Sequence, residues 1–398
     1  MLSGLKIVEY ATYMAAPGAG AILADWGASV VKVEPPNGDP SRNFFGTIGA
    51  ETDANPVFAF DNRGKRGIAL DTAKPEGREA LMRLLAGADV LITNIRPGSL
   101  ARAGLDYETV SKACPGLIYA SLTGYGLQGA DQDRPGFDIA SFWSRGGCAA
   151  SFAAKGDDPV YPRTAFGDHV TSMALACGVL AAIVERTRTG KGRLVEASLL
   201  RAASFAMGTD YAVQHHFGKL ASTRRRREAV LPLANYFRTQ DDRWMCLVPR
   251  QGGGDFANFC RAMRLERLIE DERFKSAGAR RRNAEALIDL FDEAFAGLTY
   301  DEAGRRLDAE DIAWAPVQTI AQATSDPQLA AAGGIVEIPR RGAPPFKSSG
   351  APVRFPGADD GPKGPAPEFG EHTREVLREI GYAPAEIDAL IEGRAAFG

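Results

Sequence analysis

Leu5–Glu34 reads LKIVEYATYMAAPGAGAILADWGASVVKVE, and this stretch decides the fold class. Leu5–Tyr10 (LKIVEY) is short and apolar, as a buried strand is. Ala15–Asp25 (AAPGAGAILAD) has the small-residue composition of a helix packed close against a sheet. Ser29–Glu34 (SVVKVE) is a second strand. Strand, helix and strand in this order form a βαβ unit, which implies a parallel sheet. Gly18 and Gly20 are followed by no glycine three positions on, so the G-x-G-x-x-G dinucleotide fingerprint is not met.

The same rhythm runs outward from this unit. Gly67–Leu70 reads as a strand, Lys74–Leu85 as an amphipathic helix, and Val90–Asn94 as a strand ending in Asn94-Ile95-Arg96-Pro97-Gly98. Ligands of open α/β sheets bind beyond the carboxyl ends of the strands. Asn94 and Arg96 are therefore placed for contact. Leu117–Leu122 is a further strand, running into Thr123-Gly124-Tyr125-Gly126 at the same sheet edge. Residues 35–60, rich in Pro, Gly, Asn and Asp, are expected to form a long loop.

Tyr161–Gly192 passes through Gly167-Asp168 into a long helix, where apolar or small residues at Met173, Ala174, Ala176, Cys177, Leu180, Ala181 and Ile183–Val184, at spacings of three and four, read as one buried face. Asp168 thus lies at or just before a helix N-terminus. An aspartate there serves as an N-cap or, exposed and ionised, as a nucleophile. Local sequence leaves both readings open. Leu194–Ala197 continues the βαβ pattern, which fades beyond residue 225. There Asn235–Arg238 and Trp244–Val248 read as antiparallel strands around Asp241-Asp242-Arg243, followed by helices. The expected layout is α/β: a large domain from residues 1–200 and a return segment 316–398, a connection 201–224, and a smaller α+β domain 225–315. Residues 342–367 are Pro/Gly-rich and extended.

Composition narrows the function classes. Hydrophobic residues make up 45% and charged residues 24%, as in soluble globular proteins. A net charge of -3 gives no global basic field for nucleic acid. The runs Arg224–Arg227 and Arg280–Arg282 read as solvated faces. The five cysteines form no C-x-x-C pair and there are only four histidines, so neither a zinc site nor a disulfide framework is indicated. The apolar run within 173–184 reads as too short to span a bilayer, and the start of the chain lacks a signal-peptide pattern. A cytoplasmic protein with no membrane or nucleic-acid partner is expected.

Several motifs, in order along nearly the whole chain, resemble the class III CoA-transferase family. They are Ala24–Glu34 (ADWGASVVKVE), Asn62–Asp71 (NRGKRGIALD), Asn94–Gly98 (NIRPG), Gly104–Glu108 (GLDYE) and Leu117–Gly126 (LIYASLTGYG). Arg134–Asp138 (RPGFD), Gly167-Asp168, Thr189–Gly192 (TGKG), Tyr236–Thr239 (YFRT) and Gly370–Tyr382 (GEHTREVLREIGY) complete the set. The resemblance implies a Rossmann-like large domain built from both chain ends, a small middle domain and an interlocked homodimer. It also implies that Asp168 is the nucleophile, forming an acyl anhydride and then an aspartyl-CoA thioester. Coenzyme A, as acyl-CoA, and a small carboxylic acid are then substrates, with no permanently bound cofactor and no metal.

By match to the family, Asn94 and Arg102 are the first candidates for CoA contacts, followed by Arg96, Arg42 and Tyr125. Arg63, Lys65 and Arg66 are further basic candidates. Gly167 is expected to admit a close backbone approach, and Met14, Phe44 and Phe137 to line the substrate pocket. Formyl-CoA transferase carries Gln at the position of Met14 and Trp at that of Phe44. Its glycine loop has at best the counterpart Gly252–Gly254 here. A small, very polar acid such as oxalate is accordingly disfavoured. The rival readings are a racemase of the same fold, whose branch carries His at the position of Phe137, and a non-catalytic subunit of a heteromeric transferase.

Overall fold

Val8 lies beside Val31 on one side and Leu91 on the other. That register puts β1 (Lys6–Tyr10) in the middle of a seven-stranded sheet. Its neighbours are β2 (Ser29–Glu34) and β3 (Arg66–Leu70) on one side, and β4 (Val90–Thr93), β5 (Ile118–Thr123) and β6 (Leu194–Ser198) on the other. These six strands are parallel, and Ala396–Phe397 adds an antiparallel edge against β3. The strand order changes direction between β1 and β4, which opens a crevice at their carboxyl ends. The structure, a computed structural model, describes all residues except 51, 53, 164 and 251–253.

Every residue of β4 and β5 is buried, because helices cover both faces of the sheet. The Ala15–Asp25 helix is buried along its whole length. A Cβ on Gly18 would lie 2.6 Å from Ser172 Oγ, so only a glycine allows the Phe166–Thr189 helix to pack this closely. That long helix has 24 residues and is long and apolar enough to cross a membrane, contrary to the sequence expectation. In the fold it places Leu175, Ala176, Val179 and Ala182 in the same core as Ala19, Leu23 and Ala120.

Residues 35–60 are not a long loop. Asp39 caps a 3-10 turn, Pro40–Asn43, and a short helix, Phe44–Thr47, follows. Asn55 then caps the Pro56–Asn62 helix, accepting from the Phe58 N–H at 3.0 Å. Asp, Asn and Pro look like loop residues in sequence but are also the residues that start helices.

Backbone contacts divide the chain into two compact units. One comprises Met1–Ala150, Val160–Leu220 and Ala330–Gly398, and the other Ser151–Pro159 and Ala221–Leu329. The second unit runs past the expected boundary at 315. The reason is that Trp314–Pro316 pairs as the third strand of its sheet, beside Trp244–Leu247 and Tyr236–Arg238. Its core is aromatic, with Phe237 stacked on Phe295 at 4.9 Å and Phe259 edge-on to Phe291.

Candidate active site

A cleft of about 680 Å³ opens beyond the carboxyl ends of β1, β4 and β5. Its floor is tied down by Asn94, whose carboxamide accepts from the Thr12 N–H and donates to the Thr12 carbonyl. Tyr13, at φ 64°, is in the left-handed region that side chains rarely occupy. Its N–H donates to Asp39 Oδ1 at 3.0 Å. Asp39 is in turn held 2.8 Å from the fully buried Lys32 ammonium. Burial works against that charge, but Asp39 and Glu9 outweigh it and push the Lys32 pKa up to about 12. A buried ion network thus supports the lip of the cleft.

Asp168 lines the cleft from the first turn of the Phe166–Thr189 helix. It is not the cap. The cap position is Ala165, at φ 80°, and it supplies no side-chain hydrogen bond to the helix. Among the described residues, nothing hydrogen-bonds the half-buried Asp168 carboxylate. Burial pushes its pKa up to about 7; the nearby Asp138 and Asp61 charges add to this and His169 opposes it. His169 Nε2 lies 3.1 Å from Asp61 Oδ1, and its ring meets Phe60 edge-on. Burial disfavours the charged imidazole, but the bond to Asp61 and the Asp61 charge outweigh that and raise its pKa.

The capping bond comes from another loop. Asp138, 3% exposed, accepts from the Gly167 N–H at 3.1 Å. Burial raises the Asp138 pKa, and the backbone N–H groups of Ala165, Gly167 and Phe166 pull it back. Its Oδ2 is buried without a partner among the described residues. A Cβ on Gly167 would lie 2.3 Å from Asp138 Oδ1 and 2.3 Å from Phe142 Cγ. The close approach that requires glycine is therefore that of Asp138 and Phe142.

Of the candidates from sequence, Met14, Phe44, Asn94, Arg96, Phe137 and Asp168 line the cleft together. Arg102 stands outside it, donating to Ser99 Oγ at 3.0 Å, and Ser99 itself lines the cleft. Arg42 is committed elsewhere, with two bonds to Glu34 at 2.8 and 2.6 Å and one to the Pro367 carbonyl. The Tyr125 ring lies outside the lining, beneath the Arg145 guanidinium. Arg63 is buried on Asp25, Lys65 is buried on Glu9, and Arg66 pairs with Glu375 and Glu379. Arg42, Arg63, Lys65 and Arg66 have one feature in common: each meets an acid of its own fold. Gly252 and Gly253 lie outside the described residues.

Sequence reasoning gave no role to Arg134, Gln132, Tyr13 or Asp138, all of which line the cleft. Arg134 and Asp138 bracket the quoted RPGFD motif, so the signal was present without an assignment.

Residues 2–373 match the sequence model of CoA-transferase family III. (R)-2-hydroxy-4-methylpentanoate CoA-transferase of Clostridioides difficile is 33% identical over 390 residues, covering 98% of this chain and 97% of its own. Cinnamoyl-CoA:phenyllactate CoA-transferase of Clostridium sporogenes is 33% identical over 396 residues, covering 98% and 96%. Among solved structures, a CAIB/BAIF family protein from Brucella suis superposes with a TM-score of 0.83 at 31% identity, over 95% of this chain and 99% of that one.

Proposed function

The chain belongs to CoA-transferase family III, and on that premise we propose that it moves CoA from an acyl-CoA to a free carboxylic acid through Asp168. The observation that carries this reading is a carboxylate at the cleft surface to which no described residue is hydrogen-bonded. An ionised Asp168 oxygen attacks the thioester carbonyl and expels CoA thiolate, leaving an acyl-aspartyl anhydride. The thiolate attacks the aspartyl carbonyl, releasing the donor acid and forming the aspartyl-CoA thioester. The acceptor carboxylate attacks that thioester and expels the thiolate again. Attack of the thiolate on the acceptor's acyl carbon then releases the new acyl-CoA and restores Asp168. The positive end of the helix dipole favours the oxyanion of each tetrahedral centre.

Arg96 and Arg134, both on the cleft, are suited to the CoA phosphates. Met14, Phe44 and Phe137, with Tyr13 edge-on to Phe137 at 5.6 Å, make an apolar wall. That wall favours an acid with an aliphatic or aromatic side chain over oxalate. The names of both transferases at 33% identity contain such an acid, 2-hydroxy-4-methylpentanoate and phenyllactate. The racemase reading is weaker, because Phe137 moves no proton and His169 is turned to Asp61.

The working unit in this proposal is a homodimer. The Gly208–Phe217 helix buries none of its residues within the chain, as expected of a surface that a second copy covers. All five cysteines are free thiols, which suits a cytoplasmic location.

Asp168→Asn tests the mechanism. Turnover is expected to fall by at least about 10³-fold while acyl-CoA binding persists. Wild-type protein mixed with an acyl-CoA and trapped with hydroxylamine or borohydride is expected to carry the modification at Asp168 on peptide mass mapping. Full activity in the Asn variant, with deamidation excluded by mass, overturns the reading.

A further inference from the structure

We infer that Asp138 is a positioning residue for the transferase reaction: it holds the first turn of the nucleophile's helix from a neighbouring segment and puts a second carboxylate into the cleft that Asp168 lines. This rests on the proposed nucleophilic role of Asp168. Three observations carry it. The helix begins without a local cap, since Ala165 is left-handed and offers no side-chain bond. Asp138 supplies one instead, across 29 positions of sequence, at 3.1 Å to the Gly167 N–H. Gly167 leaves room for that carboxylate and for nothing larger than a hydrogen atom.

A serine or asparagine would cap the turn as well as an aspartate does. What an aspartate adds is charge, and here the charge is buried, with Oδ2 unpartnered. Asp138 and Asp168 line the same cleft, and the charges of Asp61, in the Pro56–Asn62 helix, and of His169, next to Asp168 in its own helix, also act on Asp168. Arg63 and Lys65 act on Asp61 from behind. Asp138 therefore works against ionisation of Asp168, and His169 works for it. A more basic carboxylate is a stronger nucleophile, at the expense of being protonated over a wider pH range.

The Thr171 hydroxyl donates to the Gly167 carbonyl at 2.7 Å, and the Ser172 hydroxyl to the Asp168 carbonyl at 2.9 Å. The turn is thus fixed on its carbonyl side by its own helix and on its N–H side by Asp138. Residues 134–137 also line the cleft, so one short segment borders the cleft space and bonds the backbone of Gly167, the residue before Asp168.

Two substitutions separate charge from cap. Asp138→Asn keeps an oxygen acceptor and removes the charge. Its acid limb in kcat/KM against pH is expected to move down by about one pH unit, with kcat on the alkaline plateau falling about threefold. Asp138→Ala removes the cap as well, and kcat is expected to fall at least about 100-fold with acyl-CoA affinity within about threefold of wild type. Should the Ala variant fail to fold, the Asn variant decides alone. An Asn variant with the wild-type acid limb overturns the inference, even if its melting temperature drops, because a purely structural role moves stability and not the pH profile. Asp168→Asn is run alongside. If it is inactive while the Asp138→Asn profile is unmoved, only this inference fails. If it is active, the nucleophile reading itself fails.

Discussion

The Asn94 carboxamide exchanges two hydrogen bonds with the Thr12 backbone, accepting from its N–H at 3.0 Å and donating to its carbonyl at 2.7 Å. One side chain thereby ties together the segments leaving β1 and β4, where the crevice of the sheet opens. The carboxamide oxygen and one of its two N–H donors are thereby committed to the Thr12 backbone. Asn94→Ala is expected to lower stability by about 1–3 kcal/mol, the usual result of stranding two partly buried backbone groups. Asn94→Asp is expected to do no better, since a carboxylate cannot donate to the Thr12 carbonyl. Urea midpoints measure both. A loss of acyl-CoA affinity with unchanged midpoints would instead return Asn94 to direct CoA contact.

Arg96 and Arg42 separate a cleft cation from a structural one. Arg96 lines the cleft, and among the described residues it has no ion pair. Arg42 is held by the buried Glu34 carboxylate and stacks over Phe58 at 4.1 Å. Arg96→Ala is expected to weaken acyl-CoA binding by about 10- to 100-fold, the loss of one charge-assisted phosphate contact, with little change in melting temperature. Arg42→Ala is expected to lower the melting temperature, because Glu34 is left buried without its partner, and to leave affinity for folded protein nearly unchanged. Calorimetric titration with an acyl-CoA, beside thermal melts of the same samples, distinguishes the two patterns. The reverse pattern would exchange their roles.

Asp168 links activity to stability through pH. Its native pKa of about 7 lies above the ordinary value of 3.8, so the folded state binds the proton more tightly than the unfolded chain. Stability is therefore expected to fall as pH rises from the ordinary value to about 7 and to level off above. Asp168→Asn carries no such charge and is expected to be more stable than wild type by about 2–4 kcal/mol at pH 8, with the difference vanishing toward pH 4. Turnover of the wild type needs the ionised form, so its acid limb is expected near pH 7. Chemical denaturation at several pH values tests the first claim. A pH-independent difference between the two proteins would mean that Asp168 is not held protonated by its surroundings.

The parts of this molecule that sequence made legible are those written in short-range patterns. β1, β2 and the Ala15–Asp25 helix declare themselves through apolar runs and small residues, and Asp168 through its place before a long periodic segment. Asp138 stays hidden as a cap because its partner is remote in sequence, and no local pattern encodes a bond between segments 29 positions apart. The Ala396–Phe397 strand is only two residues long, too short for any alternation to register. Arg63 and Lys65 read as basic candidates for CoA, since only the fold brings Asp25 and Glu9 to them. Residues 35–60 show the opposite failure, in which capping residues were visible but their loop-like chemistry concealed the helices they start.

The outward face of the long helix yields the last prediction. Met173, Ala174, Cys177, Ala181 and Val184, which the sequence reads as part of a buried face, are all exposed within the single chain, Val184 to 62%, and recur at helical spacing on the side away from the core. In the same unit Phe205 is 89% exposed and Phe217 64%. Monomeric soluble proteins seldom leave so much apolar surface in water, and a second copy of the chain is the proposed cover. Ala181→Glu places a charge in the middle of the helical stripe. Because Ala181 is exposed within the single chain, the change is expected to alter the stability of that chain by no more than about 0.5 kcal/mol. Inside an interface the same carboxylate would be buried without a partner, at a penalty of several kcal/mol. Light scattering is therefore expected to report a dimer for wild type and the mass of one chain for Ala181→Glu. Arg188→Glu, in the polar last turn of the same helix, serves as the control and is expected to remain dimeric. Wild-type protein that scatters as an active single chain, or an Ala181→Glu dimer as stable to dilution as wild type, would show that this face is not the interface.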